Sequence, residues 1–260
     1  LHNHARMWFA SVWIFTLGLP WQLGADFFYK HLLDADPASN TLSWRWVAGL
    51  HTQGKHYLAR AENIARNTAG RFAPYGQLNE TALPLAEAEP PLPAAPLIAA
   101  QRHTGGTYAL LLTEEDLHPE SWDLAGEVAA IAILPSATVA APGSPAARFS
   151  MTALDDAAAR AEAHFGARCT TMAAGDLPAW LAGLGLSTLV TAEAPTGLIR
   201  WQLNDLAVRL GEAGARLIQL RRAWDHLLWP RATAGFFKLK TRLPDVIEQL
   251  ALDPARPSLL

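Results

Sequence analysis

Acids, an amide and tryptophans crowd into one short stretch, DADPASNTLSWRW, at residues 34–46. Asn40 and Trp44 are four residues apart, so in a helix they would share one face. Asp34 and Asp36 come just before that helix, where a carboxylate can accept backbone N–H bonds or pair with a cation. A flat heteroaromatic ligand with donors and acceptors on its edge would need this mixture of groups.

The flanking residues predict the helices that would position these groups. Residues 1–17 are apolar on most sides, as in a buried helix, and LGLPW then interrupts them. Asn3 and Arg6 are three apart and share a face of that first helix, and Arg6 can pair with Asp34. QLGADFFYKHLLDA predicts a second helix, and KHYLARAENIARNTAGRF predicts a further one that ends near Gly70.

The helix between these two begins in DPASN, with Asp36 as its N-cap and Pro37 as its first residue, and runs through Ala48. Each group in the stretch also has a simpler explanation. Asp36 is accounted for as a helix cap, Arg6 with Asp34 as an ordinary ion pair, and a single tryptophan in an apolar helix as core. Only the joint spacing points to a ligand site.

HNHARM, then Trp21, then DADPASNTLSWRW together resemble the photolyase/cryptochrome flavoprotein family. The family pattern is approximately H-N-R-x-R-M, a downstream W, and D-G-D-x-A-x-N-x-x-x-W-x-W, and the intervals match without a gap. The resemblance covers the first 46 residues. It implies the C-terminal half of an all-helical FAD-binding domain. ENIARNTAGRF weakly resembles the family segment that follows.

The resemblance implies roles for nine residues around FAD. Arg6 and Asp34 would form an ion pair beside the flavin ring, and Asp36 would meet the N3–H of the ring. Asn40 would face N5, and Asn3 would lie near both the flavin and the DNA lesion. Trp44 and Trp21 would be the proximal and middle members of a tryptophan chain that photoreduces FAD. Met7 and Trp46 would lie on the DNA side of the site.

The family has branches, and Asn3 and Met7 resemble the cyclobutane-dimer branch, because the (6-4) branch has histidines at both positions. The implied activity is that of a photolyase, in which reduced FAD excited by blue light gives one electron to a pyrimidine dimer in UV-damaged DNA. Two alternatives stay open: a cryptochrome-type photoreceptor without repair, and a non-catalytic flavin-domain remnant that serves as an interaction module. The identity of a second, antenna chromophore stays open as well.

One expected part of a flavin site is absent from the sequence. Photolyases hold the FAD pyrophosphate with a Thr/Ser-rich loop similar to T-S-x-L-S-P, and no such stretch occurs. The chain also begins with Leu1 and not with methionine, which is typical of a piece of a longer protein. We therefore expect the 260 residues alone to bind FAD weakly or not at all, and to be inactive in isolation.

The second part of the chain predicts a different architecture. A Pro/Ala-rich linker is expected at residues 79–103, because ALPLAEAEPPLPAAPL holds five prolines, and an extended segment that wraps around a domain is the alternative for this stretch. The runs TYALLL, VAAIAIL, STLVTA and ARLIQL predict strands, with helices between them and a loop at APGSPAAR. The fold class is therefore multidomain α and α/β. A partial FAD-binding helical domain at residues 1–78 precedes a parallel-sheet, Rossmann-like domain at 104–247 and a tail at 248–260. The α/β domain faintly resembles the photolyase antenna domain, and an unrelated α/β module is the alternative.

Composition bears on the redox compartment, on the partners that the chain can bind and on whether it spans a membrane. The single cysteine, Cys169, excludes an internal disulfide and favours a reducing, cytoplasmic compartment. Residues 1–75 carry seven Lys and Arg against four Asp and Glu, so this segment is the better candidate for binding a polyanion. Residues 7–25 lack charge, but Gly18 and Pro20 interrupt them, which favours a buried helix over a membrane span. A monomer is expected.

Three further patterns suggest chemistry but have simpler explanations. The histidines lack the spacing of a metal site, so no metal is expected. HTGGT, just before the first strand, predicts a turn because it lacks the glycine spacing of a phosphate loop. GFFKLKTRL, at residues 235–243, is basic and aromatic like many contact sites for single-stranded nucleic acid, but an edge strand explains it better.

Overall fold

The structure is a computed structural model that describes residues 1–34, 36–52, 54–87, 97–135, 143–233 and 235–251. The chain divides into two compact units, which are described separately. Leu1–Ala94 together with Val139–Ala147 form the helical unit, and Ala95–Thr138 together with Arg148–Leu260 form the α/β unit.

The helical unit contains α1 (Asn3–Ser11), a π-helical turn (Val12–Thr16), α2 (Trp21–His31), α3 (Pro37–Ala48) and α4 (Ala61–Asn67). The π-helical turn continues α1 directly, so the first helical stretch ends almost where the sequence predicts. No helix among the described residues combines the length and apolar character that crossing a bilayer requires.

Helix α3 begins and ends as the sequence predicts. The carboxylate of Asp36 accepts a hydrogen bond from the backbone N–H of Ser39 at 2.6 Å, and Pro37 is the first helical residue. The helix ends at Ala48 because Gly49 adopts φ 87°, a left-handed conformation that costs glycine little.

Residues 55–60 are not helical, so the helix predicted there is wrong over its first third. The backbone N–H of Tyr57 donates to a carbonyl of α3, and that of Ala59 donates to the buried hydroxyl of Ser11 at 2.8 Å. These tertiary bonds hold the segment against α1 and α3, and they compete with a local helix. Helix α4 therefore begins only at Ala61.

Residues 80–87, which we call the strap, continue the packing of the helical unit beyond α4. Glu80 accepts a hydrogen bond from the first amide of α4, and the amide of Leu85 donates to the last carbonyl of α3. Arg45 and Glu87 form a two-pronged ion pair with N–O distances of 2.6 and 2.8 Å. These side chains and amides attach the strap to the helices, as in the wrapping segment that is one of the two interpretations of the proline-rich composition.

The α/β unit contains a parallel sheet of β1 (Thr107–Leu112), β2 (Glu127–Ile133), β3 (Cys169–Thr171), β4 (Thr188–Ala192) and β5 (Arg216–Leu220) in the order β3-β2-β1-β4-β5. Its helices are α5 (Pro145–Phe165), α6 (Leu177–Gly183), α7 (Leu198–Glu212), α8 (Ala223–Leu228), α9 (Phe236–Lys240) and α10 (Leu243–Ala251). The predicted fold class, a helical part followed by a parallel Rossmann-like sheet, is confirmed.

Alternating strand residues build two cores, one on each face of the sheet. Leu111 and Leu189 face one side and pack with Leu203 and Leu206 of α7. Leu110 belongs to the other core, together with buried side chains from β2, β4 and α5. Burial on both faces explains why the strands are continuous apolar runs and not alternating patterns.

The sequence prediction of the α/β unit needs three corrections. β3 was not predicted, because three residues are too short for a pattern. The predicted loop at residues 141–148 is helical from Pro145 onward, while residues 136–142 lie outside the described part. The edge strand predicted at residues 235–243 is wrong, since α9 and the start of α10 occupy this segment.

Two other predictions have different outcomes. HTGGT lies in irregular backbone with a bend before β1, where Gly105 and Gly106 have φ of 100° and 95°. The centre of the predicted linker, residues 88–96, and most of the predicted tail, residues 252–260, lie outside the described residues.

Candidate functional site

A cavity of about 500 Å³ lies in the helical unit between α1, α2 and α3. It brings together seven of the nine predicted site residues, and leaves out Asp36 and Trp21. Its wall combines an ion pair, amides, hydroxyls and large apolar side chains. The lining residues are Asn3, Arg6, Met7, Ala10, Phe28, Leu32, Asp34, Ser39, Asn40, Leu42, Ser43, Trp44, Trp46, Val47 and His51.

Arg6 and Asp34 form the ion pair of the cavity. The Nη2 atom of Arg6 donates to both carboxylate oxygens of Asp34, at 3.0 and 2.9 Å. The Nε atom of Arg6 also donates to the carbonyl of Leu1 at 2.8 Å, which fixes the plane of the guanidinium. The hydrogen bond from Arg6, helped by its charge, holds the pKa of the Asp34 carboxyl below its ordinary value. The pair therefore stays ionised near neutral pH.

Asn40 has a fixed amide orientation. Its Nδ2 donates to the carbonyl of Ala25 in α2 at 2.8 Å, so the amide nitrogen is anchored to the neighbouring helix. The carbonyl oxygen Oδ1 is the acceptor that remains for a ligand. Because Asn40 lies in the cavity wall, it can present this acceptor to the edge of a bound ring.

Asp36 has another task in the structure. One carboxylate oxygen accepts the Ser39 N–H as the cap of α3, and the side chain is absent from the cavity lining. Its implied contact with a ring N–H stays a prediction, and the helix cap alone explains the residue.

Trp44 is the most deeply buried member of the site, with 2% of its surface exposed. Phe28, Phe9 and Trp13 pack edge-on around its indole, with ring centroids 5.1, 6.3 and 6.4 Å away. The indole Nε1 has no hydrogen-bond partner among the described residues. A buried indole N–H without a partner is uncommon in native proteins.

Trp21 lies elsewhere, at the start of α2. It lines a second cavity of about 460 Å³, and the guanidinium of Arg45 lies 5.7 Å from its ring centroid. Within the described residues, the indole in ring contact with Trp44 is that of Trp13. The sequence patterns gave Trp13 no role beyond the core. Its contact with Trp44 arises from packing between helices, which spacing along the chain does not encode.

Asn3, Met7 and Trp46 lie in the cavity wall as a further group. The amide of Asn3 lies 3.7 Å from the sulfur of Met7, one helical turn away. Trp46 is 41% exposed and stacks on Tyr57, with ring centroids 6.0 Å apart. An aromatic ring such as that of Trp46, which is both in the cavity wall and open to solvent, can contact a flat ligand that enters from outside.

Sequence reasoning did not select Ser39, Ser43 and His51, which also line the cavity. The two serines could have been found, because they lie one and three residues from Asn40 and fall on the same side of α3. His51 follows the helix in irregular backbone, where periodicity gives no signal. Among the described residues, no three His, Cys, Asp or Glu side chains lie close enough together to hold a metal ion.

Comparison with known proteins supplies the family. Residues 1–84 match the family model described as the FAD binding domain of DNA photolyase. Residues 1–84 belong to the photolyase and cryptochrome family.

Individual photolyases and cryptochromes match over short regions. The chain is 40% identical over 76 residues to deoxyribodipyrimidine photo-lyase of Streptomyces griseus, which is 25% of this chain and 17% of that protein. It is 49% identical over 49 residues to the photo-lyase of Agrobacterium fabrum, 19% of this chain and 10% of that protein. Cryptochrome-2 of Arabidopsis thaliana is 34% identical over 84 residues, 32% of this chain and 13% of that protein.

The chain thus aligns with less than a fifth of each of these relatives. No solved structure matches the chain.

The cavity fits the ring of the FAD that the photolyase-family domain is named for. A flavin ring has two flat apolar faces and a polar edge of carbonyl oxygens and ring nitrogens. Phe28, Trp44 and Val47 supply apolar wall, and Asn40 and the Arg6–Asp34 pair supply polar groups.

Proposed function

We propose that the helical unit is one wall of the FAD site of a photolyase-like protein that repairs pyrimidine dimers in UV-damaged DNA under blue light. The observation that carries this proposal is the joint presence of an ion pair, an anchored amide and a buried indole around one cavity, in a segment related to photolyases. The chain shares only part of its relatives' length, so the reaction is a proposal for the protein that contains it.

Bound FAD, once reduced and excited by light, supplies the electron for repair. The protein side of the work is orientation and electrostatics. Arg6, held by Asp34 and by the Leu1 carbonyl, places a fixed positive charge beside the cavity. Such a charge favours a negatively charged ring over a neutral one. Asn40, anchored on Ala25, fixes an acceptor at the ring edge without reorganisation.

Trp44 is placed to supply electrons to the cavity from the protein side. Its indole is oxidisable, is buried, and lies in the cavity wall. Trp13 is the next indole along the route that packing defines, 6.4 Å away centroid to centroid. We propose that Trp13 shares with Trp21 the role of passing electrons to Trp44.

The DNA side of the site is proposed to lie at Trp46 with Tyr57, Asn3 and Met7. A damaged base must leave the helix stack to meet the flavin, and the exposed ring of Trp46, stacked on the partly buried Tyr57, offers an aromatic surface for it. Neither Asn3 nor Met7 is titratable near neutral pH. A dimer that is split by an electron alone, without proton transfer from these positions, is the lesion that suits them.

The second candidate is a cryptochrome-type photoreceptor, favoured by the similarity to Cryptochrome-2 over 84 residues. It would use the same flavin wall without repair. A non-catalytic remnant would have no need for the unpartnered indole and the anchored amide, which speaks against a pure interaction module.

A repair assay separates these functions. The full-length protein that contains this chain, with its FAD reduced, is illuminated with DNA that contains cyclobutane dimers, and dimers are counted by a dimer-specific endonuclease. Light-dependent loss of dimers supports the photolyase. Bound FAD that photoreduces without loss of dimers supports the photoreceptor, and the absence of FAD binding by the full-length protein would refute both.

A further inference from the structure

Helix α9 presents two aromatic rings to solvent in the α/β unit. Phe236 is 63% exposed and Phe237 is 82% exposed, and their ring centroids lie 5.7 Å apart. Leu239, between them and α10, is the half-buried residue of this helix. Both phenylalanines of this five-residue helix point outward, so they do not stabilise it by packing on the core. A binding partner would explain why they are exposed.

Positive charge accompanies these rings. Lys238, Lys240 and Arg242 are all exposed, and among the described residues none of the three forms an ion pair. Phe236 and Lys240 are four residues apart, so one ring and one ammonium share a face of the helix. The segment therefore combines flat apolar surfaces with free cations at side-chain distance from them.

The structure removes the explanation that the sequence favoured for GFFKLKTRL. In an edge strand the two rings would face opposite sides and one of them would pack on a core. In α9 both are exposed. Exposed aromatic rings beside unpaired cations are the combination that stacks on unpaired bases and holds the neighbouring phosphates.

We propose that α9 with Arg242, which we call the α9 patch, binds single-stranded DNA through base stacking on Phe236 and Phe237 and phosphate contacts from the three cations. The choice of DNA over RNA rests on the proposed function. The proposal that the patch binds a single-stranded nucleic acid by stacking and phosphate contacts is independent of it. No damaged base and no flavin take part.

A lipid surface fits the patch less well than a nucleic acid. Helix α9 is five residues long, too short to lay a continuous apolar face into a bilayer. Asp245 and Glu248 follow on α10, so three cations stand against two carboxylates and attraction to an anionic membrane is small. The same carboxylates weaken attraction to nucleic-acid phosphates, but base stacking does not depend on charge and favours a nucleic acid over a membrane as the partner.

The test measures binding of a fluorescent dT20 oligonucleotide in the dark, without FAD, by anisotropy. We expect Phe236→Ala with Phe237→Ala to weaken binding at least tenfold, since each ring supports one base. Replacing Lys238, Lys240 and Arg242 by Gln should flatten the slope of log K against log salt by about 2, at roughly 0.7 per phosphate contact in single strands. The double variant Trp201→Ala with Arg209→Gln, at exposed positions of α7, is the matched control and should bind like the parent chain.

Several outcomes would overturn the proposal. They are parent-like binding by both α9 variants, absence of dT20 binding, and stronger binding of a U20 RNA than of dT20. Binding to anionic vesicles or self-association that the α9 variants abolish, in the absence of dT20 binding, would also overturn it in favour of a membrane or of a second copy. Far-UV circular dichroism confirms that each variant is folded. Failure of dimer repair would leave this result untouched, because undamaged DNA in the dark is the probe.

Discussion

Gly24 of α2 lies against the indole of Trp44, so closely that a Cβ at Gly24 would overlap Cη2 and Cζ3 of the ring and lie 3.0 Å from Cζ2. Trp44 is buried on its other sides by aromatic rings and cannot move away without disturbing them. The absence of a side chain at Gly24 therefore allows the indole to occupy the cavity wall.

Gly24→Ala should destabilise the helical unit by about 1–3 kcal/mol, the usual cost of overpacking a core. Alanine otherwise stabilises a helix relative to glycine by up to about 1 kcal/mol. A loss of stability in Gly24→Ala would therefore have to come from the overlap with Trp44. Gly211→Ala in α7, where an added Cβ meets nothing within 4 Å, is the control and should be neutral or stabilising. Urea unfolding followed by tryptophan fluorescence measures both; equal stability of the two variants would contradict the packing argument.

Asp34→Asn should weaken FAD binding severalfold, because Arg6 would lose the carboxylate that orients its guanidinium. Binding by the parent chain is itself expected to be weak, so flavin fluorescence is titrated to high protein concentration. Arg6 keeps the pKa of Asp34 below its ordinary value, so the affinity of the parent chain should not change between pH 5 and 8 on account of this group. Asp26→Asn, which removes an exposed pair with Lys30 on α2, is the matched control. An unchanged affinity in Asp34→Asn would argue against this role of the ion pair.

In the full-length protein that contains this chain, Trp44→Phe should slow photoreduction of bound FAD at least tenfold, yet leave repair by chemically reduced FAD near the parent rate. Trp13→Phe should slow photoreduction as well, because its indole contacts Trp44. Trp8→Phe serves as the control, since the Trp8 ring contacts His4. The rise of reduced-flavin absorbance under blue light gives the rates. If Trp13→Phe matches the parent and Trp21→Phe does not, electrons reach Trp44 through Trp21 alone.

Acid should weaken the α/β unit through Glu193. Burial alone would raise the pKa of this carboxyl, but hydrogen bonds and charge from Arg221 and Arg200 together outweigh burial and hold the pKa below its ordinary value of 4.5. A carboxyl with a lowered pKa in the folded state stabilises the fold above pH 4.5, and this contribution is lost as the pH falls through the folded value. The free energy of unfolding should therefore decline below pH 4.5.

Glu193→Gln tests this assignment at neutral pH. It would leave the guanidinium of Arg221, 4% exposed, without its carboxylate, and should cost about 3 kcal/mol. Its stability should also depend less on pH below 4.5 than that of the parent. Asp205→Asn, which breaks an exposed pair with Arg209, should cost less than about 1 kcal/mol. If both variants lose a similar amount of unfolding free energy, burial does not make the Glu193 pair more important for stability than an exposed pair.

Cys169 should be a slow thiol. Burial, with the nearby charge of Glu162, raises the pKa of the thiol from 9.0 to about 11, so at pH 8 its thiolate fraction falls about 100-fold. Alkylation by iodoacetamide, followed by mass spectrometry, should be at least ten times slower in the folded protein than in urea. Equal rates in both states would contradict the burial of Cys169.

Local chemistry was predictable from the sequence, and tertiary packing was not. Asp36 and Pro37 fix the start of α3 through a cap that involves only neighbouring residues, so the prediction was confirmed. The Asp36 carboxylate accepts the hydrogen bond of this cap, whereas its contact with a ligand is implied only by the family pattern. Trp13 was missed because its contact with Trp44 depends on how α1 and α3 cross. GFFKLKTRL was assigned to the wrong element because a segment this short fits a strand and a helix about equally well.

The strap makes the helical unit depend on the timing of synthesis. The last carbonyl of α3 cannot form its hydrogen bond until the amide of Leu85 has been synthesised, and Arg45 cannot form its ion pair until Glu87 has been synthesised. Both partners leave the ribosome about 40 residues after α3, which at roughly 5–20 residues per second corresponds to about 2–8 s. During that interval the nascent helices are complete in sequence but lack their closing segment. Trp21 and the rest of the second cavity then remain uncovered, so the emerging chain passes through a period in which chaperones and proteases have access to an interior surface.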